Sequence, residues 1–166
     1  YLKYFYNKKF LHNKKLNNFF SFIFLIFIIL QISIGALVSG LDAGQIYQSW
    51  PLMNQSFFPD DSLFIDLLNF KSLNQPSLVQ FMHRNLAYFI ILIFFIMFYL
   101  IFVNNNYFHL KKIALLISIA LLLQIFLGIF TILSGAYIII ASLHQIGSIF
   151  LIISSIILVY KNYRIS

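Results

Sequence analysis

Four long apolar stretches constrain the fold of this chain more than any other feature. They cover residues 19–39, 78–103, 112–133 and 137–160. Each reaches the roughly 20 residues that an α-helix needs to cross the hydrocarbon core of a bilayer. Only 9% of all residues are charged, whereas about 25% are charged in a soluble domain. We therefore predict an all-α integral membrane protein with four transmembrane helices.

The charged residues predict the orientation of these helices. Basic residues cluster before the first span, between the second and third, and after the fourth: Lys3, Lys8, Lys9, Lys14, Lys15, Lys111, Lys112, Lys161 and Arg164. All four acids lie in the opposite connection: Asp42, Asp60, Asp61 and Asp66. By the positive-inside rule, both termini face the cytoplasm or mitochondrial matrix. The net charge of +7 thus marks one face of a bacterial plasma membrane or mitochondrial inner membrane, and we expect no nucleic-acid partner.

The connections predict the organisation of the chain. Residues 1–18 and 161–166 are basic tails on the inner side, and residues 19–160 form the bundle, which includes an outer loop at 40–77. The connections near 104–106 and 134–136 are short, which favours an up-down-up-down bundle with the second and fourth helices on a diagonal. Within the outer loop, we expect an amphipathic turn at 63–70 and an interfacial anchor at Trp50.

The first and third spans share a short motif, LQIxxG, at residues 30–35 and 123–128. Each copy is followed by Ser-Gly near the outer end of its span. The next span in each case carries one histidine near its own outer end, His83 or His144. This recurrence predicts a helical hairpin that is repeated within the bundle.

The two histidines lie at matching depths. With a rise of 1.5 Å per residue, His83 lies roughly 8 Å and His144 roughly 10 Å inside the outer ends of their helices, near the level of Gly35 and Gly128. Imidazoles on diagonal helices can ligate an iron from both sides, and glycines let a flat macrocycle approach the helix backbones. We therefore predict a haem site with His83 and His144 as iron ligands and with both glycines in contact with the cofactor.

Other interpretations of the histidines stay open at this point. Each one alone fits an interfacial residue bonded to a nearby carbonyl. A zinc site would need a third or fourth ligand, and the loop acids show no ligand spacing. Since the chain contains no cysteine, Cys-type zinc sites, iron–sulfur clusters and covalent haem attachment are excluded. His12 and His109 lie beside lysines on the inner side, and we assign them no function.

Four further polar residues lie in or near this layer. Arg84 follows His83 at the depth where haem propionates would point, and its guanidinium suits carboxylates; snorkelling to lipid phosphates is the alternative. Gln31 and Gln124 lie deep enough to need interhelical hydrogen bonds, which either orient a histidine or join helices. Asp42 either caps a turn or pairs with Arg84.

Three segments resemble the haem A synthase family, specifically the carboxy-terminal half of its alphaproteobacterial and mitochondrial type. They read QISIGALVSGLDAGQIYQSWPLM at 31–53, with Phe58-Pro59 shortly after it, VQFMHRNLAY at 79–88 and ASLHQ at 141–145. The resemblance implies an eight-helix protein made of two similar four-helix bundles. It also implies oxidation of the C8 methyl of haem O to the formyl group of haem A, which serves cytochrome oxidase.

The resemblance assigns this chain one of those bundles. In the family, the carboxy-terminal bundle holds a haem b between two histidines, which correspond here to His83 and His144. The substrate-binding bundle is the amino-terminal one, and the acid of its first outer loop has no counterpart in 40–44. Since the chain begins at Tyr1, we expect a processed or partial piece of a longer protein. Because the acid of the substrate-binding bundle is missing, we expect the chain to be inactive alone.

The expected partners are membrane lipid and either a substrate-binding amino-terminal half or a second copy of this chain. Haem O synthase is a further candidate partner, haem O a further ligand, and the electron donor is not identified. Two other functions stay open: a homodimeric enzyme in which each copy provides one bundle, and a haem-free membrane assembly or scaffold protein.

Overall fold

The computed structural model describes residues 15–164, so His12 and the tail residues 1–14, 165 and 166 lie outside it. Four long helices make up most of this part of the chain: α1 (Asn18–Gly40), α2 (Pro76–Val103), α3 (Phe108–Leu133) and α4 (Ile138–Tyr163). All four are long and apolar enough to cross a membrane, and residues 15–164 contain no β-strand. The predicted all-α bundle of four transmembrane helices is confirmed. The third span begins at Phe108 rather than Lys112.

Local capping explains where several helices begin and end. The Asn17 side chain accepts a hydrogen bond from the Phe19 amide at the start of α1, and Pro76 occupies the first position of α2, where its missing N–H costs nothing. At the end of α3, the amides of Gly135 and Ala136 donate to the Ile132 and Thr131 carbonyls. Both residues have a positive φ, which completes a Schellman motif and permits the tight turn into α4.

The helices pack in a cyclic order. Helix α1 packs against α2 and α4, and α3 packs against the same two helices, so α2 and α4 lie on a diagonal as predicted. Large apolar side chains point outwards on all four helices, among them Phe95, Phe126 and Phe150. Since a membrane supplies lipid at those positions, the chain is an integral membrane protein in contact with lipid.

The buried apolar cluster fills only one half of the bundle. We call the end of the bundle that carries residues 41–75 its outer end and the opposite end its inner end. On α1 and α3, which run towards the outer end, the last buried members of the cluster are Ile28 and Leu121; on α2 and α4, which run the other way, the first are Ile90 and Leu151. Its remaining buried members lie further inwards on these helices. Both histidines therefore lie outside the part of the interior that this cluster fills.

Part of the outer loop folds back over the outer half of the bundle. Residues 41–53, which we call the lid segment, include a 3-10 turn at Ala43–Gln45 and three buried side chains, Ala43, Tyr47 and Met53. Two further 3-10 turns follow at Phe64–Leu68 and Phe70–Asn74. The side chains at 63–70 are mostly exposed and apolar, Phe70 being 89% exposed. The expected interfacial turn is thus formed, and its insertion into the membrane stays a prediction.

Candidate functional site

The structure brings the two predicted histidines together inside the outer half of the bundle. His83 on α2 and His144 on α4 face each other across the diagonal with their ring centroids 6.5 Å apart and their planes at 81°. Because a metal–imidazole bond is about 2 Å long, this separation leaves room for one metal ion between two ring nitrogens.

The donor set is limited to these two rings. Within residues 15–164, no three His, Cys, Asp or Glu side chains come together as a metal site would require. Two imidazoles on opposite sides are the ligands that a haem iron takes when its other four positions belong to the porphyrin. The Nδ1 atoms of His83 and His144 are both buried without a hydrogen-bond partner. The residues present therefore fit a haem better than a tetrahedral ion.

Gly35 and Gly128 each lie directly against a histidine of the same hairpin. A Cβ atom added to Gly35 would lie 3.1 Å from Cε1 of His83, and one added to Gly128 would lie 3.2 Å from Cε1 of His144. Such contacts are tighter than ordinary van der Waals packing. The sequence predicts that both glycines contact a haem macrocycle, whereas in the structure the imidazole of the neighbouring helix lies against each of them.

Gln31 is hydrogen-bonded to His83 across the first hairpin. Its Nε2 atom lies 3.1 Å from both the Nε2 atom and the backbone oxygen of His83. A carbonyl oxygen only accepts hydrogen bonds, so the Gln31 atom that faces both groups is a donor. The His83 Nε2 atom then accepts this bond, so a metal held by Nε2 would take the place of the Gln31 amide. The sequence predicts that Gln31 either orients a histidine or joins two helices. In the structure its bonds to His83 do both.

Gln124, the equivalent residue of the second hairpin, has a different neighbour. A Cβ atom added to Gly147 on α4 would clash with its side-chain amide nitrogen. The amide therefore packs against α4 one turn from His144, at a position that only glycine leaves open. The two hairpins therefore share the sequence motif, but the glutamine side chains of the two copies make different contacts.

Arg84 lies inside the protein rather than at the lipid surface. It is 7% exposed, and its guanidinium donates to the backbone oxygens of Tyr47 at 2.9 Å, Ser49 at 2.9 Å and Leu52 at 3.3 Å. All three acceptors belong to the lid segment. The side chain therefore neither snorkels outwards nor forms the expected pair with Asp42, whose backbone carbonyl instead accepts from the Gln45 amide.

Gln80 also belongs to this layer, although the sequence did not mark it as a site residue. It lies one turn before Arg84 on α2, is 2% exposed, and donates from Nε2 to the Tyr47 oxygen at 3.0 Å. The signal for it was its position four residues before Arg84, which places both side chains on one face of the helix. Its Oε1 atom and the Nε atom of Arg84 are buried without partners.

Comparison with known proteins identifies the family. The sequence model of a family described as cytochrome oxidase assembly protein matches residues 5–156. A heme A synthase from Pelagibacter ubique (strain HTCC1062) is 46% identical over 158 residues, which make up 93% of this chain and 45% of that protein. The chain belongs to the haem A synthase family.

Other heme A synthases show the same pattern of coverage. The protein of Rickettsia bellii (strain OSU 85-389) is 43% identical over 84% of this chain and 41% of its own length. That of Rickettsia felis is 41% identical over 83% of this chain and 40% of its own length. This haem A synthase family member therefore spans less than half the length of the curated relatives it matches. No solved structure matches it significantly.

In this family member, His109 is the third histidine within residues 15–164, and it lies far from the site. His109 is the second residue of α3, at the inner end of the bundle, and both of its ring nitrogens are buried without a partner. The structure does not bring it near His83 or His144, and we assign it no role.

Proposed function

We propose that this chain is the haem b-binding bundle of a haem A synthase, in which His83 and His144 would hold the iron. The observation that carries this proposal is the facing pair of rings, 6.5 Å apart on diagonal helices. They lie in the half of the bundle that the buried cluster does not fill. Membership of a family whose curated relatives are heme A synthases supports the same conclusion.

The residues of the chain would bind the cofactor, orient it and keep water away. Gln31 is bonded to the Nε2 atom and to the backbone oxygen of His83, and the missing side chains of Gly35 and Gly128 leave space for both imidazoles. The bound haem would supply the electron transfer, and the apolar helices around it would adjust its potential. Arg84, with its buried and unpartnered Nε, is the proposed contact for the haem carboxylates.

We further propose that the chain acts as a carboxy-terminal half. It matches less than half the length of its heme A synthase relatives, and its described residues hold one facing pair of histidines. A haem that carries electrons cannot occupy the same ligands as a substrate. The haem O whose C8 methyl is oxidised to the formyl of haem A would therefore bind a separate amino-terminal half, or a second copy of this chain.

The membrane and the remaining partners are also proposals. The acids of the outer loop and the lysines at the other end favour a plasma membrane or mitochondrial inner membrane with both termini on the cytoplasmic or matrix side. Haem O synthase is a candidate partner because it would deliver the substrate. The electron donor is not identified by any feature of the chain.

One experiment separates this proposal from the two other functions. The purified chain is loaded with haem b, mixed with haem O and a reductant under air, and its cofactors are extracted and separated chromatographically. We expect a low-spin b-type absorbance spectrum and no haem A, with haem A appearing only after the amino-terminal half is added. Haem A made by the chain alone would instead support a homodimeric enzyme, and a chain that binds no haem would be a scaffold.

A further inference from the structure

The lid segment, residues 41–53, lies across the outer end of the bundle and contacts both hairpins. It leaves α1, and at Gly44 it approaches Ala136 of the α3–α4 turn so closely that an added Cβ would lie 3.2 Å from the Ala136 Cβ. The Gln48 side chain lies against Gly135 in the same turn. The segment then returns to α2, where Arg84 and Gln80 bind it. It therefore covers the outer end of the layer that contains both histidines.

The lid segment depends on side chains for its hydrogen bonds. The 3-10 turn at Ala43–Gln45 is its one regular element. Beyond that turn, the Tyr47 oxygen accepts from both Gln80 and Arg84, and the Ser49 and Leu52 oxygens accept from Arg84. Buried carbonyl groups that lose their donors are costly. Two side chains of α2 thus donate to three carbonyls of the lid segment, of which the Leu52 oxygen also accepts from the Ser49 hydroxyl at 2.9 Å.

The guanidinium in turn depends on the lid. Arg84 is almost completely buried, and the partners of its two terminal nitrogens are neutral carbonyls of the lid segment. A buried charge without partners is far more costly than an exposed one. If the lid opened, Arg84 would lose all three of these bonds together, so the lid and the arginine are expected to open or close as one unit.

We propose that Arg84 and Gln80 are positioning residues that form a latch: they hold the lid segment closed over the histidine layer and so limit access to it from the outer side. The latch is built from this chain's own backbone and side chains and is complete without a cofactor. This proposal rests on the proposed function in one respect only, namely that the layer beneath the lid is a haem site. A test on the haem-free protein therefore separates the two.

The absence of cysteine from the sequence allows a direct test. Met53 lies in the lid segment and is 1% exposed, so Met53→Cys provides a thiol that is protected while the lid is closed. Its labelling by a membrane-impermeant maleimide is measured in the purified, haem-free chain with and without Arg84→Gln. We expect labelling to accelerate at least about tenfold, because hydrogen bonds to a charged group are the stronger kind. Gln80→Leu, which removes one of the four bonds, should produce a smaller acceleration.

Two controls make the result decisive. Lys71→Gln removes an exposed cation from the same outer loop and should leave the labelling of Met53→Cys unchanged. Ser155→Cys, a near-isosteric change at a position with 0% exposure in α4, should stay unreactive in the Arg84→Gln background, because only the lid is expected to open. Arg84→Lys should give an intermediate rate, since a lysine cannot span three carbonyls.

Two results would overturn the latch. If Arg84→Gln leaves Met53→Cys as protected as before, the arginine does not hold the lid, and a role towards haem carboxylates would be the one that remains. If the thiols at 53 and 155 become reactive together, the variant loosens the whole bundle and there is no separate lid movement. Neither result depends on whether the protein binds haem.

Discussion

The two hairpins of this bundle carry the same motif but are joined and covered differently. In both α1–α2 and α3–α4, a glycine of the first helix lies against Cε1 of a histidine on the second, with distances of 3.1 and 3.2 Å from the ideal Cβ. The first hairpin is connected through residues 41–75 and the second through residues 134–137. The duplicated part is therefore the ligand layer, whereas the lid over it comes from the first hairpin alone.

The glutamines of the two hairpins also differ in their contacts. Gln31 donates to the ring and backbone of His83, whereas the Gln124 amide packs against Gly147, three residues after His144. The corresponding position in the first hairpin is Leu86, whose side chain is larger than that of glycine. The same motif thus leads to different contacts because a single small residue on the partner helix determines where the glutamine fits.

The largest expected effect is the loss of the haem spectrum when one histidine is removed. It tests whether each hairpin contributes one iron ligand. His83→Ala and His144→Ala should each abolish the low-spin haem spectrum, because an iron that loses either axial imidazole loses its six-coordinate state. Reduced absorbance spectra of the purified, haem-loaded variants provide the measurement.

The matched control for both substitutions is His109→Ala, which lies at the inner end of α3 and should keep the full signal. A variant of either paired histidine that retains the spectrum of the unmodified chain would contradict ligation by both rings. If only one of them retains it, the two hairpins are not equivalent.

A smaller effect on haem occupancy is expected when the glycine–histidine contact found in both hairpins is disturbed. Gly35→Leu and Gly128→Leu should both lower haem occupancy, because the new side chain takes the space of an imidazole; overpacking of this kind costs about 1–3 kcal/mol. Occupancy is measured as the ratio of haem absorbance to protein after loading.

Gly40→Leu is the control for the glycine variants. It lies in the last turn of α1, and an added Cβ there meets no atom within 4 Å, so occupancy should not change. Normal occupancy in both the Gly35 and Gly128 variants would show that the rings can move aside and that the close contact is not needed.

The smallest expected effect tests the difference between the glutamines. Gln31→Leu removes two hydrogen bonds to His83 and should destabilise the haem-free bundle by about 1 kcal/mol, since an interhelical bond in a membrane contributes about 0.6 kcal/mol. Gln124→Leu should cost less, because none of the described hydrogen bonds involves its side chain. Unfolding of both variants by a denaturing detergent measures the two free energies. Equal losses would mean that the two glutamines are equivalent after all.

Several features of the site were predictable from local sequence. The distance of His83 and His144 from the ends of their spans predicted a shared layer because a helix rises by a constant amount per residue. The short connection at 134–136 and the alternation of direction then placed them on diagonal helices. The partner of Arg84 was not predictable, since its three acceptors are backbone carbonyls, which every residue carries and no residue type marks.

The sequence by itself determined the number and the approximate position of the apolar spans, the repeat and the histidine pair. These properties are local, because a bilayer selects each apolar stretch and each flanking charge separately. Only the tertiary structure decided that Arg84 and Gln80 hold the lid segment and that Gln31 binds His83 while Gln124 packs on Gly147. It also decided that the two glycines accommodate imidazoles. Those contacts depend on the path of a long loop and on the rotation of each helix against its neighbours, which hydrophobic periodicity does not encode in helices apolar on every side.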